Sequence, residues 1–340
     1  MPRRILIAGP SGFIGGHVVR AARELQPEAS LFGIGRSDVY DLRLDTHLST
    51  EVKGENLEAI RRYVATNRPE AVVNCLGSLT ADYGLAVQNN LRATEDLIQA
   101  VSKVVPGIRF VHLGSVAEYA PLEFPMKTDE SAPTQPISTY GKSKLLATRL
   151  VLEACDKGLI SGVVLRVSNP IGPRMNPATL PGKVYQFLKD SEEAHLTVGS
   201  LASYRDFVDV REVAEAVMLA LSQLPAMSGE IINIGSGVAR TARDLVHGML
   251  RLGARPVTLR ESFEGSSRSE AVSWQEMDVT KAREVLGWAV KIPWSQTCAI
   301  RCMERLRYAR ACLQTLLALE LWKEEIRPIS NRGACWIGST

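Results

Sequence analysis

The stretch RILIAGPSGFIGGHVVRAAREL, residues 4–25, limits the fold more than any other. A short apolar run is stopped by a glycine-rich turn, which opens directly into an amphipathic helical pattern. Gly9, Gly12 and Gly15 lie at GxxGxxG spacing in that turn. Glycines there let the chain reverse tightly and let backbone approach a pyrophosphate. The helix that follows offers unpaired N–H groups and a positive dipole end to the phosphates. The pattern predicts a dinucleotide site over Gly9, Ser11, Gly12, Phe13, Ile14 and Gly15, with a purely structural turn as the plain alternative.

The pattern repeats down the chain. LFGIGR, AVVNCLG, IRFVHLGS and SGVVLRVSN read as buried strands, and LEAIRRYVATNRPE, NNLRATEDLIQAVSKV and the segment after Tyr140 as helices. Strands alternating with helices imply right-handed crossovers, hence a doubly wound parallel sheet with helices on both faces. After Asn169 the pattern loosens. PIGPRMNPATLPGK cannot form a long regular element, and RDFVDVREVAEAVMLAL, GEIINIG, TARDLVHGMLRL and VTKAREVLGW are separated by irregular chain. The expected division is a dinucleotide-binding part over 1–168 and 206–235, a smaller interrupted C-terminal substrate lobe over 169–205 and 236–312, and an extension over 313–340.

Composition excludes several classes. A net charge of +3 is too small to argue for nucleic acid or an anionic membrane. No apolar stretch reaches the length of a membrane span, and MPRR is followed by a run too short and too glycine-broken for a secretory leader. The cysteines, Cys75, Cys155, Cys298, Cys302, Cys312 and Cys335, show no paired ligand spacing, and the histidines form no HExxH-type cluster. The expectation is a reduced cytoplasmic protein without a metal.

Five further positions carry chemistry. Arg36 ends the second strand, where many such folds place a carboxylate for the ribose hydroxyls of NAD. An arginine would instead pair with a 2′-phosphate, which favours NADP over NAD, with Asp38 as the reason to keep NAD open. Asp45, in LRLD, is expected to end the next strand and to accept from the adenine amine. Tyr140 and Lys144, in STYGKSK, are four apart and share one helical face. A phenol has a pKa of about 10, and a neighbouring ammonium lowers it toward useful values. Ser115 ends a strand at the edge where doubly wound folds build their sites. Together they predict a hydride-transfer apparatus: Tyr140 as acid/base, Ser115 orienting the substrate oxygen, Lys144 tuning the phenol and holding the ribose.

The motifs GPSGFIG, LGSVAEYA, YGKSK, RVSNPIGP, YRDFVDVREVAEA, NIGSG and KAREVLGW, in this order, resemble an extended short-chain dehydrogenase/reductase of the nucleotide-sugar branch, from about residue 4 to about residue 308. The resemblance implies a Rossmann fold and a nucleotide-diphosphate sugar as substrate. It implies cofactor contacts at Leu76, Gly77, Asn90, Tyr140 and Lys144, and substrate contacts at Ser78, Asn169, Arg205 and Arg268. Asn90 matches an sNxxGT motif in which Ala93 replaces the usual glycine, and SSRSEA around Arg268 departs by a residue from RPxD.

Three reactions share this frame. A 4,6-dehydratase of the family needs a carboxyl pair at positions that here are Val116 and Ala117, so dehydration is disfavoured. An epimerase holds NAD throughout and fits a carboxylate after the second strand better than Arg36. A ketoreductase exchanges its cofactor each turnover. The whole chain most resembles GDP-4-keto-6-deoxymannose reductases and related NDP-4-keto-6-deoxyhexose 4-ketoreductases. The expected activity is therefore reduction of a nucleotide-linked 4-keto-6-deoxy sugar, with an epimerase as the alternative. A dinucleotide sensor without catalysis is disfavoured, because Tyr140 and Lys144 are both present. A homodimer is also expected. Leu91, Leu97, Ile98 and Val101 on one helix and Leu146 and Leu150 on another should exceed what the sheet can cover, and relatives pair these helices.

Overall fold

Strands β1 (Arg4–Ala8), β2 (Ser30–Gly35), β3 (Thr46–Ser49), β4 (Ala71–Asn74), β5 (Ile108–Ser115), β6 (Ile160–Val167), β7 (Asn169–Ile171), β8 (His195–Val198), β9 (Tyr204–Asp209), β10 (Ile231–Ile234), β11 (Ala239–Thr241) and β12 (Thr258–Glu261) form three sheets in the computed structural model, which describes residues 1–37, 43–251, 256–262 and 272–299. The large sheet has seven strands in the order β10-β6-β5-β4-β1-β2-β3, and every neighbouring pair is parallel. The order reverses between β1 and β4, and ligands of such sheets bind at that crevice, beyond the C-terminal strand ends.

The strands are apolar on both sides because both faces are covered. Ile5 and Ile7 point to one face, Leu6 and Ala8 to the other. On the first face helices α1 (Phe13–Leu25) and, later in the chain, Val210–Gln223 seal the sheet through Val18, Val19, Ala22, Val213 and Val217. On the second, α2 (Leu57–Asn67) contributes Ile60 and Val64. A short helix, α3 (Tyr83–Ala86), runs through a π-helical turn at Val87–Arg92 into α4 (Ala93–Val104), and α5 (Thr139–Asp156) packs beside them. Lys103 in the last turn of α4 complements the helix dipole.

Leu97, Ile98 and Val101 are all buried within this second face, so α4 spends its apolar residues on the sheet. That removes these three residues from the surplus expected from sequence. Of the residues named for a dimer patch, Leu146 is exposed and Leu91 and Leu150 are half-buried.

A three-stranded sheet, ordered β11-β9-β7, and a pair, β12-β8, lie beyond the large sheet. They share an apolar core with α6 (Leu180–Asp190) and helix Ala242–Arg251, built on Ile171, Val184, Leu188, Phe207, Leu245 and Val246. Strand β9 crosses the boundary expected at 205/206 and pairs with both β7 and β11, so Tyr204 to Asp209 act as one element. Strand β10 returns to the large sheet beside β6. Residues 300–340, with Cys302, Cys312 and Cys335, and residues 263–271, with Arg268, lie outside the described residues. Among the described residues no helix is long and apolar enough to cross a membrane.

Candidate active site

The turn after β1 fits a phosphate. A Cβ on Gly15 would stand 2.1 Å from the Gly9 carbonyl oxygen, so α1 can begin this close to β1 only without a side chain there. Gly12 caps α1 with no side-chain hydrogen bond, and the first turn has no acidic residue. The amide end of α1 is thus left to an anion, between Ser11 on one side and Phe13 and Ile14 on the other.

Beside this turn, β4 ends in a buried polar knot. Asn74 donates to Thr94 Oγ1 at 3.0 Å and to His112 Nδ1 at 3.1 Å, and its Oδ1 accepts the Leu76 amide at 3.1 Å. Burial, assisted by the Lys144 charge, holds the pKa of His112 well below its usual value, so the ring is neutral. The knot fixes the Leu76–Gly77 bend. Asn90, fully buried, then ties Ser78: its Oδ1 accepts the Ser78 amide at 2.8 Å, and its Nδ2 donates to the Ser78 carbonyl at 3.2 Å and to Ser143 Oγ at 2.8 Å. Asn90 sits in the π-helical turn, a distortion frequent at functional sites. The sequence signals for these two are slight: a polar residue ending the apolar strand β4 at Asn74 and one inside the apolar strand β5 at His112.

Helix α5 starts where its sequence dictates. Ser138 caps it by accepting the Gly141 amide at 3.0 Å, which places Tyr140 in the first turn and Lys144 one turn on. Gly141 lets the helix press against the turn after β5, where a Cβ would lie 2.0 Å from the Ala117 carbonyl oxygen. Close packing of these two elements brings the first turn of α5 against the end of β5, where Ser115 sits. Ser115 Oγ accepts the Ala117 amide at 3.2 Å, a contact that leaves the hydroxyl proton to donate. Lys144 is 3% exposed, and burial lowers its pKa from 10.5 to about 8, against the opposing pull of Glu118 and Cys75. Its Nζ lies 4.0 Å from where a Cβ of Gly77 would be. At neutral pH the ammonium is a buried positive charge at the base of the crevice.

Glu118 turns away from the crevice. It is fully buried, accepts the Ser115 amide at 2.7 Å and pairs with Arg166 at 2.8 Å. Val116 and Ala117 carry no proton-moving group, so among Val116, Ala117 and Glu118 no carboxyl is free to act on a substrate.

Arg36 follows β2 at the C-terminal edge, is 70% exposed and lies 3.6 Å from Glu51. Asp45 does not share this edge, contrary to expectation. It precedes β3 rather than ending a strand: its Oδ2 accepts the Leu31 amide at 2.6 Å and pairs with Arg23 at 2.8 Å. Strand β3 and Thr50 separate it from Glu51, a carboxylate not expected from sequence that does follow a strand on the crevice side.

On the small sheet, Asn169 donates to the Asp206 carbonyl at 2.8 Å and to Gln275 Oε1 at 2.6 Å. Arg205 is half-buried and donates to the Tyr204 carbonyl at 2.7 Å, and burial lowers its pKa. Beneath it Asp206 is fully buried and gathers the Ser236, Gly237 and Met277 amides, which locks the NIGSG turn against β9.

Residues 5–235 match the model of the NAD-dependent epimerase/dehydratase family. The chain belongs to that family. It is 33% identical over 295 residues, 84% of this chain and 91% of the relative, to a dTDP-6-deoxy-L-talose 4-dehydrogenase (NAD(P)(+)) of Kitasatospora kifunensis. Its fold matches that of MoeE5 in complex with UDP-glucose and NAD, with a TM-score of 0.77 at 22% identity over 90% of this chain and 99% of that one. It also matches RMD from Pseudomonas aeruginosa complexed with NADPH, with a TM-score of 0.69 at 21% identity over 88% and 97% of the two chains. As a member of the family the protein is an NAD(P)-dependent enzyme of nucleotide-sugar metabolism.

Proposed function

We propose that the protein reduces the C4 ketone of a nucleotide-linked 4-keto-6-deoxy sugar to the alcohol, with NADPH as reductant. The observation that carries this reading is the stretch from Ser115 to Glu118. It offers one hydroxyl to orient a carbonyl and no free carboxyl to abstract a proton or expel water. The relative of Kitasatospora kifunensis, named as a 4-dehydrogenase of a dTDP-linked 6-deoxy sugar, adds support, because 4-dehydrogenation read backwards is 4-keto reduction.

A bound nicotinamide cofactor supplies the hydride. The rest is the work of the chain. Ser115 donates to the ketone oxygen and aims it, and Tyr140 gives that oxygen its proton. The buried Lys144 ammonium stabilises the phenolate left behind and donates to the cofactor ribose. The amide end of α1 and Gly9, Gly12 and Gly15 take the pyrophosphate, with Leu76, Gly77 and Asn90 lining the crevice. Arg36 takes the 2′-phosphate, and Glu51, in the role first expected of Asp45, accepts from the adenine amine. Asn169, Ser78 and Arg205 face the sugar diphosphate.

Glu51 beside Arg36 favours a second reading, in which the Arg36 charge is partly spent and NAD is held for epimerisation. The two readings separate in one experiment. Purified protein is examined by native mass spectrometry, then mixed with NADPH and dTDP-, UDP- and GDP-4-keto-6-deoxyhexoses. The reductase reading expects no retained NAD and stoichiometric NADPH oxidation with one of them. Retained NAD with no net NADPH consumption, and interconversion of UDP-glucose and UDP-galactose, would replace it by the epimerase.

A further inference from the structure

Strands β9 and β11 run antiparallel with Arg205 directly opposite Arg240. Side chains opposite one another in such a pair project from the same face, with Cβ atoms about 5 Å apart, and like charges there are destabilising. The usual remedy is a carboxylate between them, yet the neighbouring ones are engaged elsewhere. Asp206 binds the amides of the NIGSG turn, Asp209 pairs with Arg211 at 2.7 Å, and Glu261 pairs with Arg243. Among the described residues neither Arg205 nor Arg240 has an ion-pair partner.

Arg240 is nevertheless held firmly. Its guanidinium lies over the Trp294 ring, 4.7 Å from the centroid, and Trp294 packs against Phe207 at 6.1 Å. A stacked guanidinium covers its apolar face and keeps its in-plane N–H donors for an anion. Register places Asn169 opposite Phe207, two residues from Arg205 on β9. Asn169, Arg205 and Arg240 therefore share one face, with Arg240 level with Arg205 and Asn169 two residues further along β9.

We propose that Arg240 is a phosphate-binding residue of the substrate site, gripping the diphosphate of the nucleotide sugar together with Arg205. The assignment rests on the nucleotide-sugar reading above. It gives a partner to Arg205 without calling on Arg268. Two preorganised forks match a bridging diphosphate, which carries two negative charges and several acceptor oxygens. The sugar then lies toward Asn169, the uncharged end of that face.

The test is calorimetric titration of the full chain, saturated with NADPH, with dTDP, UDP and GDP. Arg240→Met keeps the stem over Trp294 and removes the charge. It is expected to weaken the preferred nucleoside diphosphate at least tenfold, while NADPH affinity and the ligand-free melting temperature do not fall, because a like-charge contact has been relieved. Arg240→Lys restores charge without the fork and should fall between the two. Nucleotide affinity within twofold of wild type in Arg240→Met overturns the assignment and leaves the nucleotide-sugar reading intact. A lowered melting temperature, with wild-type nucleotide affinity in Arg240→Lys, overturns it as a packing role. If the wild-type protein binds none of the three nucleotides, the nucleotide-sugar reading fails and this assignment with it.

Discussion

Arg166 on β6 and Arg205 on β9 are both strand arginines, and the molecule treats them differently. Arg166 is 2% exposed and brings its own counter-charge: Nε donates to Glu118 at 2.8 Å, and the guanidinium lies over the Tyr119 ring at 4.4 Å. Tyr119 in turn donates to Asn233 Oδ1 at 2.7 Å, which ties β10 to the turn after β5. This is a closed network that serves the fold. Arg205 and Arg240 face each other with no carboxylate among the described residues, and Lys144 lies buried with Glu118 acting on it only at a distance. A charge that supports the fold is neutralised within the chain, whereas one that serves a ligand is left for the ligand to neutralise.

Breaking the closed network should have the largest effect. Glu118→Ala strands a buried guanidinium and releases the Ser115 amide, so stability is expected to fall by about 3–5 kcal/mol, read as a shift of the urea midpoint. Replacing both partners, Glu118→Leu with Arg166→Met, should recover much of that loss. A cost under about 1 kcal/mol for Glu118→Ala would remove the distinction between the two classes of arginine.

Tyr140→Phe is the matching test on the open side. The ring and its packing remain and only the proton is lost. Turnover is expected to fall by about a hundredfold or more with NADPH binding and melting temperature unchanged. Turnover near wild type would take Tyr140 out of the mechanism.

Lys144 sharpens the comparison through pH. Its folded pKa, about 8, lies below its ordinary 10.5, so the folded chain binds this proton less tightly than the unfolded chain. Below about pH 8 both states are charged, and above 10.5 both are neutral. Between these limits the unfolded state carries the extra proton, so stability from this residue rises with pH through the window and is lost as pH falls through 8. The full swing is on the order of 3 kcal/mol. It is measured without cofactor, as the difference between wild type and Lys144→Met in urea midpoint at pH 8 and pH 10. A difference that does not change with pH means the ammonium is not desolvated.

Arg36 lies at the exposed end of the series. Arg36→Asp is expected to shift the NADPH/NADH preference about tenfold toward NADH, by exchanging the partner of a 2′-phosphate for a carboxylate that repels it and accepts from the ribose hydroxyls. An unmoved preference would show that Arg36 does not read that position.

The large sheet was legible because its signals are local. Each strand is a short apolar run, each crossover helix is amphipathic, and the glycine turn and Ser138 cap fix where α1 and α5 begin. The small sheet was not, because β7 and β11 have three residues each, too few for periodicity to register. The pairing of Arg240 with Arg205 brings together residues 35 positions apart in the chain, and no local pattern encodes it. On the second face a wide apolar stripe on α4 is what covering a twisted sheet requires, and by pattern alone it is indistinguishable from a surplus for a partner. Edge strand β3 was the other failure. Its residues THLS lack an apolar pattern and are half-exposed, so the pattern points to LRLD instead and sets Asp45 at the end of the strand rather than before it.

Asp45 therefore provides the smallest and last test. With Arg23 it forms the exposed counterpart of the Glu118–Arg166 pair, with Asp45 about half exposed. Burial is the largest single influence and raises the Asp45 pKa, but the Leu31 amide and the hydrogen bond and charge of Arg23 together outweigh it and hold the carboxyl below its usual range. The sign follows: this contribution is present above about pH 4 and lost as pH falls through the lowered value. Asp45→Asn keeps an acceptor for the Leu31 amide, and Arg23 stays anchored on the Ala29 and Arg43 carbonyls at 2.6 Å each. The expected loss at neutral pH is below about 1 kcal/mol and shrinks further in high salt. NADPH affinity should not change, because Asp45 is separated from the Arg36 edge by the length of β3, about 13 Å at 3.3 Å per residue. If NADPH binding weakens in Asp45→Asn while stability holds, Asp45 reaches the adenine after all and Glu51 loses that role. An exposed ion pair at the foot of the sheet would then belong with Arg205 and Lys144, among the charges kept for a ligand.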